Sequence, residues 1–272
     1  MKGAMDFAER YGPWAVVLGA SEGLGEAFAR DIAGRGVNVV VAARRPEPLK
    51  AVAEDIAAHD GVETRPVRVD LAAPNFLDEL RTVTDELDVG LVVYNAAAAY
   101  VGAFLDGAEA FSSIVAVNCM SPLVVCEHFG RKLVDRGSGG IVLMGSAAGL
   151  AGSAFNSAYA ASKAFEIVLG ESLWAEWRNE GVDVLSVIGP AIDTPTFRST
   201  LSPEVRDKMP KPMAPALAAE QILDALGGDP SFVPGQHAEG IALLGSLPRR
   251  QQVEALSSSQ SGLAQGRSSS SS

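Results

Sequence analysis

The chain has 272 residues, 47% of them hydrophobic and 20% charged, with a mean hydropathy of +0.16. That length fits one large domain or two small ones, and the apolar share supports a sizeable core and excludes a disordered composition. The formal net charge of −11 repels phosphate backbones and anionic lipid, so neither nucleic acid nor a membrane surface is expected as a partner.

In chain order, residues 1–12 form a lead-in with no apolar run of the signal-peptide kind, so a cytoplasmic location is the expectation. Trp14–Leu18 is a short apolar run that ends at a glycine and reads as a buried strand. Gly23–Gly34 has helical spacing through Leu24, Ala27, Phe28 and Ile32. Asn38–Ala43 is a second strand, Pro46–His59 a helix opened by proline, and Thr64–Val69 a third strand. A helix over Pro74–Glu86 and a strand over Val89–Tyr94 follow. Phe111–Arg136 reads as one long helix, bent at Pro122. Cys119 and Cys126 fall two turns apart on it, about 10 Å, too far for a disulfide. Free thiols in a reducing compartment are expected. Gly140–Met144 is the fifth strand, Ser157–Glu180 a long helix and Val182–Ile188 the sixth strand. The segment 195–215, rich in proline, reads as a lid or an ordered loop. Ala218–Leu226 is a helix and Ser231–Val233 a short seventh strand. Residues 251–272, rich in serine, read as a flexible tail. No stretch reaches the roughly 18 apolar residues of a membrane span. The three histidines are dispersed without metal-ligand spacing, so no metal is expected.

Strands that are apolar throughout imply a parallel sheet covered on both faces. Their alternation with helices implies right-handed crossovers and a doubly wound, Rossmann-type α/β domain over residues 13–250, with about seven strands. In such a fold the turn Gly19-Ala20-Ser21-Glu22-Gly23-Leu24-Gly25 sits between the first strand and first helix. Glycines there let the backbone approach a pyrophosphate seated on the helix N-terminus, with Gly19, Ser21, Gly23, Leu24 and Gly25 in reach. A tight turn that only packs helix on sheet would use the same glycines. An acid at the end of the second strand would bond a ribose 2′-hydroxyl. Here that position is Ala43, followed by Arg44 and Arg45, which suit a 2′-phosphate and favour NADP over NAD, although an ordinary solvated loop would carry the same arginines. Glu22 adds a nearby negative charge against that choice. Asp70, after the third strand, could accept from an adenine amino group or cap its own turn. Asn95 ends the fourth strand, where ligands collect at a sheet's carboxyl edge, or it serves only to form the turn.

Tyr159 and Lys163 stand four apart in a predicted helix and so share one face. An ammonium beside a phenol favours the phenolate, which can then give or take a proton at a carbinol or carbonyl oxygen. Ser146 lies upstream and by itself would be only a loop hydroxyl. Taken together, the glycine turn, Asp70, Tyr94-Asn95-Ala96-Ala97, Asn118, Ser146, Tyr159, Lys163, Pro190 and Thr194 resemble the short-chain dehydrogenase/reductase family over nearly all of Trp14 to Val233. The opening Tyr11-Gly12-Pro13-Trp14 resembles the branch with hydroxysteroid dehydrogenases and long-chain 3-ketoacyl reductases. Two departures are Ala97 and Ala191, where the family usually has glycine.

The resemblance implies an NADP-dependent oxidoreductase that interconverts a carbonyl and a secondary alcohol. In it Tyr159 is the general acid and base, Lys163 lowers its pKa and binds the nicotinamide ribose, and Ser146 orients the substrate oxygen. Asn118 supports a water path that resupplies protons through Lys163, and Pro190, Ile192 and Thr194 flank the carboxamide. A non-catalytic dinucleotide sensor of the same fold is the alternative; such relatives usually lose the tyrosine or the lysine. An apolar pocket drawn from Phe104, Phe155, Phe197, Met209 and Met213 would suit a hydrophobic small-molecule ketone, and plain core or lid packing would use the same residues. The resemblance also implies a homodimer or homotetramer built through the two long helices.

Overall fold

In a computed structural model that describes residues 7–200 and 211–268, seven strands form a single parallel sheet. The strands are β1 (Trp14–Leu18), β2 (Asn38–Ala43), β3 (Thr64–Arg68), β4 (Val89–Tyr94), β5 (Gly139–Met144), β6 (Val182–Val187) and β7 (Ser231–Phe232). Their order across the sheet is β3-β2-β1-β4-β5-β6-β7. The chain therefore winds outward from β1 in both directions, and the order reverses between β1 and β4. The crevice beyond the carboxyl ends of those two strands is where such a sheet takes a ligand.

The helices are α1 (Phe7–Tyr11), α2 (Gly23–Gly34), α3 (Pro46–Asp60), α4 (Phe76–Thr84), α5 (Ala108–Val115), α6 (Ser121–Arg136), α7 (Ser157–Trp177), α8 (Pro195–Thr200), α9 (Pro215–Ala225), α10 (Ala238–Ser246) and α11 (Arg249–Ser268). One face of the sheet is covered by α2, α3 and α9, whose Phe28, Ile32, Leu49, Ile56 and Ile222 share a core with Val17 and Val41. The other is covered by α4, α6 and α7, where Leu80, Phe129 and Leu133 pack on Leu18, Val92 and Leu143. Leu24, Phe28 and Ile32 recur every four residues, the spacing that gives α2 one apolar face. Each such side chain contributes about 1.5–3 kcal/mol when fully buried. β3 departs from the all-apolar pattern, with Arg65, Pro66 and Arg68 exposed. It lies at the sheet's edge, the place where a strand tolerates proline.

Three expectations are corrected. The long helix expected over Phe111–Arg136 begins at Ala108 and is interrupted by a π turn at Ala116–Met120. The irregularity thus comes just ahead of Pro122, whose ring cannot fit against the carbonyl four residues back in a regular turn. The run Ala108–Arg136 is also long and apolar enough, by length and composition, to cross a bilayer. Here Ile114, Val125, Phe129 and Leu133 of that run are buried in the protein, as in the core helix of a parallel sheet. Last, the segment read as a flexible tail carries α11 as far as Ser268, and α10 precedes it where no helix was expected. Residues 269–272 lie outside the described residues, as do 201–210 of the expected lid. The described ends of that lid are α8 and the bridge between Ile192 and Met213.

Candidate active site

A cleft of about 850 Å³ opens over the carboxyl edge of the sheet, running from the glycine turn past Ser146, Tyr159 and Lys163 to Pro190–Thr194. At its head Gly19 and Gly23 adopt positive φ, +86° and +62°. A Cβ on Gly19 would come within 2.8 Å of the Ala96 Cα, and one on Gly23 within 3.0 Å of the Thr194 side chain. The turn is therefore pressed against the ends of β4 and of the loop after β6. Gly25 is tighter still, since a Cβ there would stand 2.0 Å from the Gly19 carbonyl oxygen and 2.7 Å from Asn95 Nδ2. Asn95 donates from Nδ2 to that same carbonyl at 3.1 Å and so pins the turn to β4. Gly25→Ala should cost about 1–3 kcal/mol or more, because backbone cannot yield as a side-chain tip can. The expected readout is a lowered unfolding temperature together with lost NADPH fluorescence enhancement.

Arg44 and Arg45 follow β2 and line the cleft beside Ser21 and Glu22. Arg45 lies 2.7 Å from the Glu22 carboxylate and donates to Ser21 Oγ at 3.1 Å. Glu22 also accepts from Thr196 Oγ1 at 3.1 Å. Asp70 accepts from the Ala72 amide at 3.1 Å, which caps its turn while the residue still lines the cleft.

Tyr159 and Lys163 project from one side of α7, with the Lys163 Nζ 5.7 Å from the Tyr159 ring centroid. Tyr159 is half-buried and borders the cleft, whereas Lys163 is buried. The Lys163 ammonium donates to the Met144 carbonyl at 2.8 Å and to Glu166 Oε2 at 2.7 Å. A charge out of water needs such partners. Burial works against the ammonium, but Glu166 and Tyr159 facing it hold its pKa above the ordinary lysine value. Burial also pushes the Glu166 carboxyl up to about 7, against the pull of Lys163. Ser146 lies in the loop after β5, borders the same cleft, and accepts from the Ala148 amide at 3.2 Å.

Asn118 sits in the π turn, fully buried. Its Oδ1 accepts from the Ala98 amide at 2.8 Å, and its Nδ2 donates to the Ala98 carbonyl at 2.8 Å and to Ser162 Oγ at 2.9 Å. The side chain clamps the strand β4 exit to α7 one residue from Lys163. Pro190, Ile192 and Thr194 line the far wall, and Thr194 Oγ1 accepts from the Phe197 amide at 3.1 Å. Ala97 is exposed at the cleft, so its methyl group fits where the family usually has glycine.

Of the apolar residues expected to form the pocket, Phe197 borders the cleft. Phe104 instead stacks on Phe111 at 4.8 Å, Phe155 is exposed outside the cleft, and Met213 is buried in the core. Met209 lies outside the described residues. The apolar lining comes rather from Val101, Val117 and Leu256, the last brought over by α11. Three further residues escaped the sequence reading. Leu256 is hidden in a serine-rich stretch. Asn156 precedes α7 and lines the cleft with a buried Oδ1 that no described group satisfies. Glu166 has the i+3 spacing of an ordinary surface ion pair with Lys163.

The glycine cradle and the buried ammonium fit a nicotinamide dinucleotide. Its pyrophosphate would rest at Gly19–Gly25, and its ribose hydroxyls would reach Tyr159 and Lys163.

A family model described as short chain dehydrogenase matches residues 13–204. A 7beta-hydroxysteroid dehydrogenase from Collinsella aerofaciens is 32% identical over 235 residues, covering 85% of this chain and 89% of that protein. A very-long-chain 3-oxoacyl-CoA reductase from Aspergillus clavatus is 34% identical over 178 residues, covering 64% of this chain and 52% of that protein. Among solved structures, one of a 7beta-hydroxysteroid dehydrogenase superposes with a TM-score of 0.86 at 29% identity, covering 93% of this chain and 99% of that one. A short-chain dehydrogenase from Sphingobium yanoikuyae in complex with NADPH gives 0.76 at 27% identity, covering 89% and 95%.

Proposed function

The chain belongs to the short-chain dehydrogenase family, and from that premise we propose that it reduces a bulky apolar ketone, or oxidises the matching secondary alcohol, with NADP in preference to NAD. The observation that carries this reading is the placement of Tyr159 and Lys163 on one face of α7, at the cleft that begins over the glycine turn. Bound in that cleft, the dinucleotide supplies or accepts the hydride. Tyr159 donates its phenolic proton to the carbonyl oxygen in reduction and takes it back in oxidation. Lys163 stabilises the phenolate and holds the ribose, and Ser146 orients the substrate oxygen by a hydrogen bond. Apolar walls from Val101, Val117, Phe197 and Leu256 exclude water and fit a steroid-sized or long-chain ketone. The names of the relatives point to the same substrate classes. The exposed apolar Met120, Leu123 and Val168 on the two helix runs suit the homo-oligomer implied by the family.

The test is a screen of steroid ketones, long-chain 3-oxoacyl thioesters and aryl ketones with NADPH and with NADH. Consumption of NADPH with at least one class is expected; none with any class would overturn the reading. The choice of NADP rests on Arg44 and Arg45. The ion pair of Arg45 with Glu22 is half-exposed and worth at most about 1 kcal/mol, so a 2′-phosphate can recruit Arg45 from it. Arg45→Ala should lower kcat/KM for NADPH by about tenfold or more, the worth of one hydrogen bond to a charged group, and leave NADH nearly unchanged. Equal losses with both cofactors would remove the guanidinium from that role.

A further inference from the structure

Lys163 shares its ammonium with a buried acid that the reaction as described does not use. Glu166 Oε2 lies 2.7 Å from Lys163 Nζ, and the two side chains are 1% and 3% exposed. The other carboxylate oxygen, Oε1, is buried without a described hydrogen-bond partner. The groups that face this carboxylate from neighbouring elements are Tyr94 on β4, Cys119 in the π turn and Cys126 on α6. Burial raises all three, Cys126 to about 12, so they stay neutral in the working range. Ser186 on β6 reaches only the backbone carbonyls of Glu166 and Ile167. Among the described residues, Lys163 is thus the ionised partner of Glu166, and its ammonium also lies 5.7 Å from the Tyr159 ring centroid.

We propose that Glu166 is a positioning residue that anchors the Lys163 ammonium and, through its own charge, sets the pH at which the Tyr159 phenolate forms. An ammonium that neighbours one anion already has less attraction left for a second. With Glu166 ionised, the pair presents little net charge to Tyr159. With Glu166 protonated, the ammonium is uncompensated and the phenolate becomes its natural counter-ion. A carboxyl pushed up to about 7 changes charge in the range where such an enzyme operates. The pH response of the site would then belong to the three groups together and not to the phenol alone.

This inference rests on the catalytic reading of Tyr159, but its test needs no substrate. Of the four tyrosines, Tyr11 and Tyr94 are held above their ordinary range by burial. The tyrosinate absorbance that disappears in Tyr159→Phe can therefore be followed against pH. Glu166→Gln keeps a carbonyl oxygen for Lys163 and removes only the charge. In that background the Tyr159-dependent midpoint should fall by about one unit, the scale of a charge change beside a paired ionisable group. Glu166→Leu removes charge and hydrogen bond together and should move it the same way, which covers the case that the glutamine variant folds poorly. A midpoint that stays put or rises in both variants overturns the proposal. Absence of ketone turnover in the unaltered protein would instead sink the catalytic reading and leave the titration result standing.

Discussion

Tyr159→Phe should keep NADPH binding to within about tenfold, the worth of one neutral hydrogen bond to the ribose, and lose about 10²–10⁴-fold in kcat, the range that a well-placed general acid supplies. The substitution deletes one oxygen and keeps the ring, so the packing of α7 and the 5.7 Å approach of Lys163 to the ring survive. Lys163 itself keeps its bonds to Met144 and Glu166, neither of which involves the phenol. Fluorescence titration with NADPH and initial rates with the best ketone from the screen separate the two effects. A fall in turnover far larger than the change in binding assigns the proton to Tyr159. Unchanged turnover would exclude it, and Asn156 with its unsatisfied Oδ1 would become the next polar group to examine.

The parallel sheet was legible wherever a strand is buried on both faces. Trp14–Leu18, Asn38–Ala43 and Val89–Tyr94 are continuous apolar runs closed by turn residues, and the structure has the same bounds. The glycine turn and the Tyr159–Lys163 pair were legible because each depends on local spacing, four residues along a helix or a turn after a strand. What depends on distant packing was not. Glu166 looks like a solvent-facing partner of Lys163, and only tertiary packing, which sets it beside Tyr94, Cys119 and Cys126 of other elements, makes it a buried acid. Pro122 was read as a bend, but the chain answers it with a wider turn upstream, which places Asn118 where it can clamp Ala98 to Ser162. The helix that brings Leu256 to the cleft has little apolar periodicity of its own. Ser257 accepts from the Ala154 amide at 3.0 Å and Arg249 donates to the Leu150 carbonyl at 2.7 Å, so its docking is polar and invisible to a hydrophobic pattern.

Lys163→Met should destabilise the fold, by up to about 3–5 kcal/mol where Glu166 is ionised, because it leaves that acid buried and unpaired. The sign of its pH dependence follows from the carboxyl. A folded-state value raised above the ordinary 4.5 means that the folded protein holds the proton more tightly than the unfolded chain. That contribution is fully present below the ordinary value and is lost as pH rises through about 7. Without Lys163 to favour the ionised form, the loss extends to higher pH, so the deficit of the variant should be small at about pH 5 and largest at about pH 8. Adding Glu166→Leu should recover most of the stability, since replacing a whole buried pair by apolar groups of similar volume is often neutral or better. It should not recover turnover, because the ammonium that supports the Tyr159 phenolate is still missing. Denaturant titrations of both variants at the two pH values, with rates measured alongside, read stability and catalysis separately. A double variant as unstable as Lys163→Met alone would mean that the lysine's methylene stem, not its charge, is what the core requires.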